Sequence, residues 1–260
     1  MALYDEFREE RERVKKGPFL QRIAYFWDYY KWHTIIALVV IIGVISFVHN
    51  LVTKTDPVLS GILLNSYSKN VEDVNKVMND FIELREIDTD NYHVSLNTGL
   101  SYSTSEDGTS AQMNYSTDQV ITARHMADDL DFLTGDLETM LSYAYRGLFG
   151  DIRTHFTEEQ LAFYEPYMLY IDQAIIEQRQ EAAANFEDLT AITYPDCHKP
   201  EDMEKPIPVM LDIHSCKPLT DIYEYEELAS TLAFGICTNV VNQENTVAFI
   251  NHVMGAPVQE

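Results

Sequence analysis

Two short segments near the C-terminal end contain residues that could bind a metal ion or form a disulfide. Cys197 lies beside His198, and His214 lies two residues before Cys216. The four side chains could form a zinc site, and the two thiols could form a disulfide outside the cytoplasm. The spacing fits no usual zinc pattern, because adjacent Cys and His cannot easily bind one ion. The alternatives for these cysteines are therefore, in order of preference, free thiols, a disulfide and a metal site. We predict no metal or other cofactor.

The sequence contains no familiar catalytic motif. It lacks the G-x-S-x-G nucleophile turn, the G-K-S/T phosphate loop, the H-E-x-x-H metalloprotease pair and the G-x-G-x-x-G dinucleotide fingerprint. Pairs of carboxylates are uninformative, because the chain has 42 Asp and Glu residues. We therefore predict that the protein is not an enzyme and assign no catalytic residue.

Polar residues stand where the predicted strands end. In open α/β sheets, ligands bind outside the carboxyl ends of strands and near helix N-termini. Asp131, which alternates with Phe132 on a strand, could also point into a cleft. The candidate ligand-binding residues are Asn65, Ser66, Asp131, Gly135, Asp136, Thr238 and Asn239. The simpler alternative is that these Asn, Asp and Thr side chains cap helices or complete turns.

The elements that would position these residues alternate between strands and helices. Apolar segments of strand length cover residues 58–65, 92–102, 129–135, 167–172, 207–213 and 232–241, and helical patterns cover 71–84, 118–127, 136–147, 157–164 and 243–254. Thr117 and Asn242 are the expected caps of two of these helices. This alternation predicts an α/β fold with a mostly parallel sheet.

An apolar segment precedes this region. Residues 34–52 contain no Asp, Glu, Lys or Arg and, as a helix, would span roughly 28 Å, close to the thickness of a bilayer core. Aromatic residues crowd the upstream flank, AYFWDYYKWH, as in an interfacial belt. We predict a single transmembrane helix. A cleaved signal peptide is the alternative, but a 33-residue leader and the absence of an Ala-x-Ala site argue against it.

Cations near the predicted span set its orientation. Lys15, Lys16, Arg22 and Lys31 lie on the N-terminal side, whereas Lys54 and Lys69 lie on the other. The positive-inside rule therefore predicts a cytoplasmic N-terminus and an extracellular C-terminal domain at the cell membrane. The predicted organisation is a cytoplasmic and interfacial segment at 1–33, a transmembrane helix at 34–52 and an extracytoplasmic α/β domain at 53–260.

The net charge of −24 follows the same division. Residues 1–33 hold seven cations and six acids, about +1, and the remaining chain holds 11 cations and 36 acids, about −25. A domain this acidic would repel nucleic acid. Disorder is also excluded, because 46% of the residues are hydrophobic. The acidic excess is best explained as a solvated outer surface.

The patterns D-x-D-F-L-x-G from Asp129 and Y-A-x-x-G-L-F-x-D from Tyr143 resemble a stretch of extracellular solute-binding proteins. The ending AFGICTNVVNQENTVAFINHVMG resembles their closing strand and helix. The beginning, WDYYKWH followed by the apolar segment, resembles uncharacterised single-pass membrane proteins of Gram-positive bacteria whose exported part has the same layout. The resemblance implies a small type 2 periplasmic-binding fold.

The resemblance also implies a function. It predicts a membrane-anchored, solute-binding-like module that could serve a transporter, with the lipid bilayer, a small polar solute or peptide, and a membrane transporter or envelope protein as partners. The alternative is a non-catalytic accessory or interaction protein of the cell envelope that has lost its ligand pocket. A two-lobed binder needs two crossings between lobes, and only 167–172 and 207–213 are candidates; if these segments lie side by side, the binder is favoured. About 205 exported residues suit only the smallest two-lobed binding proteins, so one lobe could be reduced or lost.

Overall fold

A computed structural model describes residues 18–52, 55–66, 71–103, 108–189, 192–222 and 231–257. The chain divides into two compact units, Met1–Lys54 and Thr55–Glu260. Residues 1–17 of the predicted cytoplasmic segment lie outside the described residues. The same is true of Lys54 and Lys69, which entered the prediction of orientation.

The described part of the first unit is one long helix. Helix α1 runs from Phe19 to Val52. It contains an 18-residue stretch, Lys31–Val48, that has a mean hydropathy of 2.1 and no buried residue. The side chains from 35 to 48 are all exposed and, apart from Ser46, apolar, so this part of the helix has no polar face. The helix is long and apolar enough to cross a membrane, although a signal sequence would have the same length and composition.

The second unit has the predicted alternation of strands and helices. The strands are β1 (Asp56–Leu63), β2 (Tyr92–Asn97), β3 (Phe132–Asp136), β4 (Met168–Asp172), β5 (Pro206–Asp212) and β6 (Leu232–Ile236). The helices are α2 (Val71–Leu84), α3 (Gly108–Met126), α4 (Leu137–Tyr145), α5 (Glu158–Tyr164), α6 (Gln173–Ala184), α7 (Lys217–Thr220) and α8 (Gln243–Met254). Each predicted strand and helix is present, and the α/β class is confirmed.

One predicted cap is wrong, and another residue occupies the cap position without the capping hydrogen bond. Helix α3 begins at Gly108, so Thr117 lies inside it, where its buried hydroxyl donates to Ser101 O at 2.7 Å. The first half of α3 has no apolar periodicity because hydrogen bonds, more than apolar contacts, attach it to the domain. Asn242 precedes α8 but makes no side-chain cap, since its amide donates to Asp131 Oδ2 at 3.0 Å instead.

The six strands form one sheet in the order β2-β1-β3-β6-β5-β4. Strand β1 is parallel to β2 and to β3, whereas the β3–β6, β6–β5 and β5–β4 pairs are antiparallel. Four strands therefore run in one direction, and β6 and β4 run in the other. The carboxyl ends of β1 and β3 consequently lie at one edge of the sheet, and the carboxyl end of β6 lies at the opposite edge.

Apolar side chains cover both faces of the sheet. Along β1 and the residue after it, Leu59 and Leu63 belong to one core cluster, and Ile62 and Leu64 belong to the other. The first cluster includes side chains of α2, α5 and α8, and the second includes side chains of α3 and α4. This alternation is expected of a strand buried on both sides.

All three cysteines are free and buried. Cys216 belongs to the first core cluster and Cys197 to the second, so the sheet separates them. The Cys197–Cys216 disulfide and a shared zinc site with His214 are therefore wrong as alternatives, and none of the three cysteines forms a disulfide in the described residues. Cys237 has no exposed surface and is a core residue, as predicted.

The two candidate crossing segments lie side by side. They form β4 and β5, which pair from Met168 with Leu211 to Asp172 with Pro206. Both are strands of the same six-stranded sheet, and Thr55–Glu260 forms one compact unit. The side-by-side arrangement is the one expected to favour a binder, although in the described residues both segments belong to one sheet.

Candidate functional site

Four of the predicted site residues meet at the carboxyl ends of β1 and β3. Asn65 and Asp136 are both buried, and Asn65 Nδ2 donates to Asp136 Oδ2 over 3.3 Å. The other carboxylate oxygen, Asp136 Oδ1, accepts from Thr139 N at 2.9 Å and caps α4. Adjacent parallel strands end at the same edge, which explains why sequence reasoning found this group together.

The remaining bonds of this group are also internal. Asn65 accepts from Tyr102 N at 2.8 Å and donates to Tyr102 O at 2.9 Å, so its amide binds the segment that follows β2. Ser66 Oγ donates to Leu63 O at 2.5 Å. A Cβ on Gly135 would lie 3.2 Å from Leu64 Cβ, so this glycine allows close packing. These contacts fit the capping and turn alternative.

Asp131 is buried and does not face an open cleft. Its Oδ2 accepts from Ser60 N at 2.8 Å and from Asn242 Nδ2 at 3.0 Å. Its Oδ1 accepts from Val241 N at 3.2 Å and from Asn242 N at 3.0 Å. The carboxylate therefore joins β1 to the loop before α8, which is a structural role.

Thr238 and Asn239 lie at the opposite edge of the sheet, because β6 is antiparallel to β3. Thr238 is exposed, and its Oγ1 lies 3.5 Å from His125 Nε2 at the end of α3. Asn239 Nδ2 donates to His125 O and to Asp128 Oδ1, the latter at 2.7 Å.

A second histidine approaches the same place. A Cβ on Gly150 would lie 3.8 Å from His155 Nε2 and 3.8 Å from Thr238 Cα, so the imidazole and Thr238 flank one small residue. The His155 side chain is hydrogen-bonded to Gln243 at the start of α8. We name this group the Thr238 cluster, and it consists of His125, Asp128, His155, Thr238, Asn239 and Gln243.

The Thr238 cluster contains a concentration of buried polar atoms without a hydrogen-bond partner. Five such side-chain atoms occur in the described residues, and three of them are His125 Nδ1, His155 Nδ1 and Asn239 Oδ1. Buried polar atoms are paired in the great majority of native structures, so each exception requires an explanation. Three of these atoms belong to the Thr238 cluster, where an ordered water or another polar group would supply the missing partners.

Burial also sets the protonation of the two histidines. Desolvation lowers the pKa of His125, and the negative charge of Asp128 opposes this effect. Desolvation likewise lowers the pKa of His155, opposed by the Gln243 hydrogen bond and by Asp151. Both imidazoles are therefore neutral at pH 7, and each can donate through one nitrogen and accept through the other.

Sequence reasoning nominated Thr238 and Asn239 but missed His125 and His155. Thr238 and His125 are 113 positions apart, and neither histidine belongs to a recognisable motif. Only the pairing of β6 with β3 brings them together.

A third group, between α6 and β5, has the donor set of a metal site. One ligand atom each of Asp196, Cys197 and His198 lies within 4.8 Å of the others. The thiol is buried and the other two side chains are exposed.

Comparison with known proteins adds little to this description. No protein-family model and no curated protein matches the chain. Among solved structures, the chain is similar to the ABC substrate-binding protein Lmo0181 from Listeria monocytogenes in complex with cycloalternan, with 9% identity and a TM-score of 0.34 over 77% of this chain and 75% of that one. A similarity of this size does not define a function, so the proposals below depend on the chain's own residues.

Proposed function

We propose that this protein is a membrane-anchored, non-enzymatic extracytoplasmic module that binds a small polar solute at the Thr238 cluster. The observation that supports the proposal is the group of three buried, unpartnered atoms, His125 Nδ1, His155 Nδ1 and Asn239 Oδ1. A buried donor or acceptor left without a partner costs about 1–3 kcal/mol. A solute that supplies the partners recovers this free energy on binding.

The chemistry of the cluster restricts the class of solute. Asn239 Oδ1 only accepts, so the solute must carry a hydrogen-bond donor. The neutral imidazoles can donate or accept, which suits hydroxyl and amide groups. The carboxylate of Asp128 disfavours an anion, whereas Asp151 is paired with Arg153 at 2.6 Å, so neutral or cationic solutes such as sugars, amides and short peptides fit best.

The cluster is accessible from solvent on one side. Thr238 and Asp128 are exposed, whereas His125, His155 and Asn239 are half-buried. A solute that enters beside Thr238 therefore contacts an exposed hydroxyl first and the deeper polar atoms after a small side-chain rotation.

The proposed location follows from α1 and from the charge distribution. Apart from Ser46, helix α1 presents only apolar side chains from 35 to 48, which suits lipid surroundings. The cations upstream of this stretch favour a cytoplasmic N-terminus, and the acidic remainder suits a domain kept away from anionic headgroups. A membrane transporter is the proposed recipient of the solute.

A second candidate function is an accessory or interaction protein of the cell envelope. It is favoured by the bonding at the carboxyl ends of β1 and β3, where Asn65 and Asp136 bind each other and their neighbours. It is also favoured by the single sheet, which provides no closing cleft between two lobes in the described residues.

Thermal-shift measurements on the full chain in detergent separate the two candidates. The panel is glucose, maltose, glutamine, lysine and a neutral dipeptide. We expect at least one solute to raise the melting temperature, and we expect Asn239→Ala to abolish that shift. The matched control is Asn245→Ala, which removes a half-buried amide bonded to Val58 O outside the cluster. No shift with any solute, or equal loss in both variants, would favour the accessory protein.

A further inference from the structure

The segment from Asp196 to Lys199, between α6 and β5, forms a turn with three potential metal ligands on consecutive residues. Cys197 Sγ lies 3.4 Å from His198 Nδ1, and the same nitrogen lies 3.2 Å from Asp196 Oδ1. The three donor atoms therefore converge on one small volume. The contact between His198 Nδ1 and Asp196 Oδ1 also has the length of a hydrogen bond or ion pair within the turn.

Backbone hydrogen bonds hold the turn in this conformation. Tyr170 N on β4 donates to Cys197 O at 2.9 Å, which attaches the turn to the sheet. Within the turn, Lys199 N donates to Asp196 O at 3.0 Å, and His198 N donates to Asp196 Oδ1 at 3.0 Å. Adjacent Cys and His side chains do not usually bind one ion, because they tend to point apart. In this turn the Cys197 and His198 side chains already lie on the same side.

The separations match those of a tetrahedral site. With a metal–sulfur bond of about 2.3 Å and metal–nitrogen or metal–oxygen bonds of about 2.0–2.1 Å, tetrahedral angles place sulfur and nitrogen about 3.6 Å apart and nitrogen and oxygen about 3.3 Å apart. The observed 3.4 and 3.2 Å are within a few tenths of an ångström of these values. Thiolate, imidazole and carboxylate are also the usual zinc ligands.

We propose that Asp196, Cys197 and His198 bind one divalent transition-metal ion of the zinc class through Oδ1, Sγ and Nδ1. The exposed side chains of Asp196 and His198 leave the fourth coordination position open to water. The strongly acidic surface of the chain attracts the cation.

Metal binding at this place releases a proton. A cysteine binds a metal ion as the thiolate, so the Cys197 thiol loses its proton to solvent when its sulfur binds the ion. Affinity therefore increases with pH.

Lys199 competes with the ion. Its Nζ lies 3.4 Å from Asp196 Oδ2, where it neutralises the carboxylate that the metal needs. Replacing Lys199 with Gln removes this competitor and leaves the three ligands in place. The proposal therefore predicts tighter binding in K199Q, which a purely structural role of the turn would not produce.

Cobalt titration of the full chain in detergent tests the proposal under reducing conditions. A thiolate ligand to Co²⁺ produces a charge-transfer band in the near ultraviolet. We expect this band at one equivalent of Co²⁺, its displacement by Zn²⁺ and the release of about one proton per ion. Cys197→Ser should remove the band, and His198→Gln should weaken affinity by roughly 10-fold or more.

Two matched variants provide the controls. Cys216→Ser removes another buried thiol, and His214→Gln removes an exposed imidazole on another turn. Both should keep the cobalt band and the affinity. The proposal is overturned if the wild-type chain shows no thiolate band, or if the band survives in Cys197→Ser. Because His198 is exposed, His198→Gln tests the site even if Cys197→Ser fails to fold.

Discussion

The side-chain amide of Asn239 donates a hydrogen bond to Asp128 Oδ1 over 2.7 Å, which joins the loop after β6 to the turn after α3. The same amide donates to His125 O, while the Asn239 carbonyl oxygen has no partner among the described residues. One side chain thus fixes the geometry of the Thr238 cluster with its nitrogen and leaves its oxygen for a solute.

Asn239→Asp should destabilise the protein at neutral pH. The substitution replaces a donor with a carboxylate that faces Asp128 and the His125 carbonyl, so we expect a loss of about 1–3 kcal/mol in the free energy of unfolding. Urea denaturation at pH 7 measures the loss.

The control for this variant is Asn91→Asp. Asn91 Nδ2 donates to Asp88 Oδ2 at 2.7 Å, but both residues are exposed. Solvent screens the new repulsion there, so the cost should stay below about 1 kcal/mol. Equal losses at both positions would show that the Thr238 cluster does not constrain Asn239.

Asp131→Ala should be among the most damaging single substitutions in the domain. It removes a buried carboxylate that accepts four hydrogen bonds and leaves Ser60 N, Val241 N and Asn242 N without this partner. We expect a loss of about 3 kcal/mol or more, measured by urea denaturation. Asp90→Ala, at an exposed turn, should change stability by less than about 0.5 kcal/mol, and a similarly small loss for Asp131→Ala would contradict the structural role.

Stability should decrease as the pH falls below about 6.5, partly because of His155. Burial lowers its folded pKa from the ordinary value of 6.5, so protons bind the unfolded chain more tightly. The stability that depends on a neutral His155 is therefore fully present above pH 6.5. It is lost as the pH falls through the lower pKa of the folded state. Melting temperatures of His155→Gln between pH 8 and pH 5 should show a flatter decline than the wild type.

The exposed His252 on α8 provides the comparison for this profile. His252→Gln keeps both histidines of the Thr238 cluster, so its decline with pH should match that of the wild type. If His155→Gln also matches the wild type, burial of the His155 imidazole does not affect stability.

Gly235→Ala should strain the centre of the sheet. A Cβ at this position on β6 would lie 2.7 Å from Phe149 Cδ1, a contact that requires the ring or the strand to move. We expect a loss of about 1–3 kcal/mol in unfolding free energy. Gly99→Ala is the control, because the nearest atom to its Cβ would be Asn97 Oδ1 at 3.6 Å, and no loss at Gly235 would show that Phe149 relocates freely.

The elements of the fold could be predicted from local patterns, but their order in the sheet could not. Apolar periodicity is a local property, and it located β1, β3, β6 and the helix that follows Asp136. The insertion of β6 antiparallel between β3 and β5 depends on pairing between distant segments. Periodicity also missed the first half of α3, whose buried residues include Ser110 and Thr117.

The candidate site shows the same division. Asn65 and Asp136 stand at the carboxyl ends of neighbouring parallel strands, where ligands often bind in α/β sheets. Their side chains do lie together, but they bind each other. Thr238 and Asn239 were nominated by the same rule, yet the reversed direction of β6 places them with His125 and His155. No local pattern predicts that contact, because it joins positions 113 residues apart.

The most direct test of solute binding is imidazole nitrogen NMR on the full chain in detergent, labelled at histidine with ¹⁵N. Spectra are recorded during titration with the solute that gives the largest thermal shift in the panel, and His125→Gln and His155→Gln assign the resonances. The Nδ1 resonances of His125 and His155 should shift as these atoms gain partners, while those of His93 and His252 should not. Saturation with solute that leaves both Nδ1 resonances unchanged would contradict binding at the Thr238 cluster.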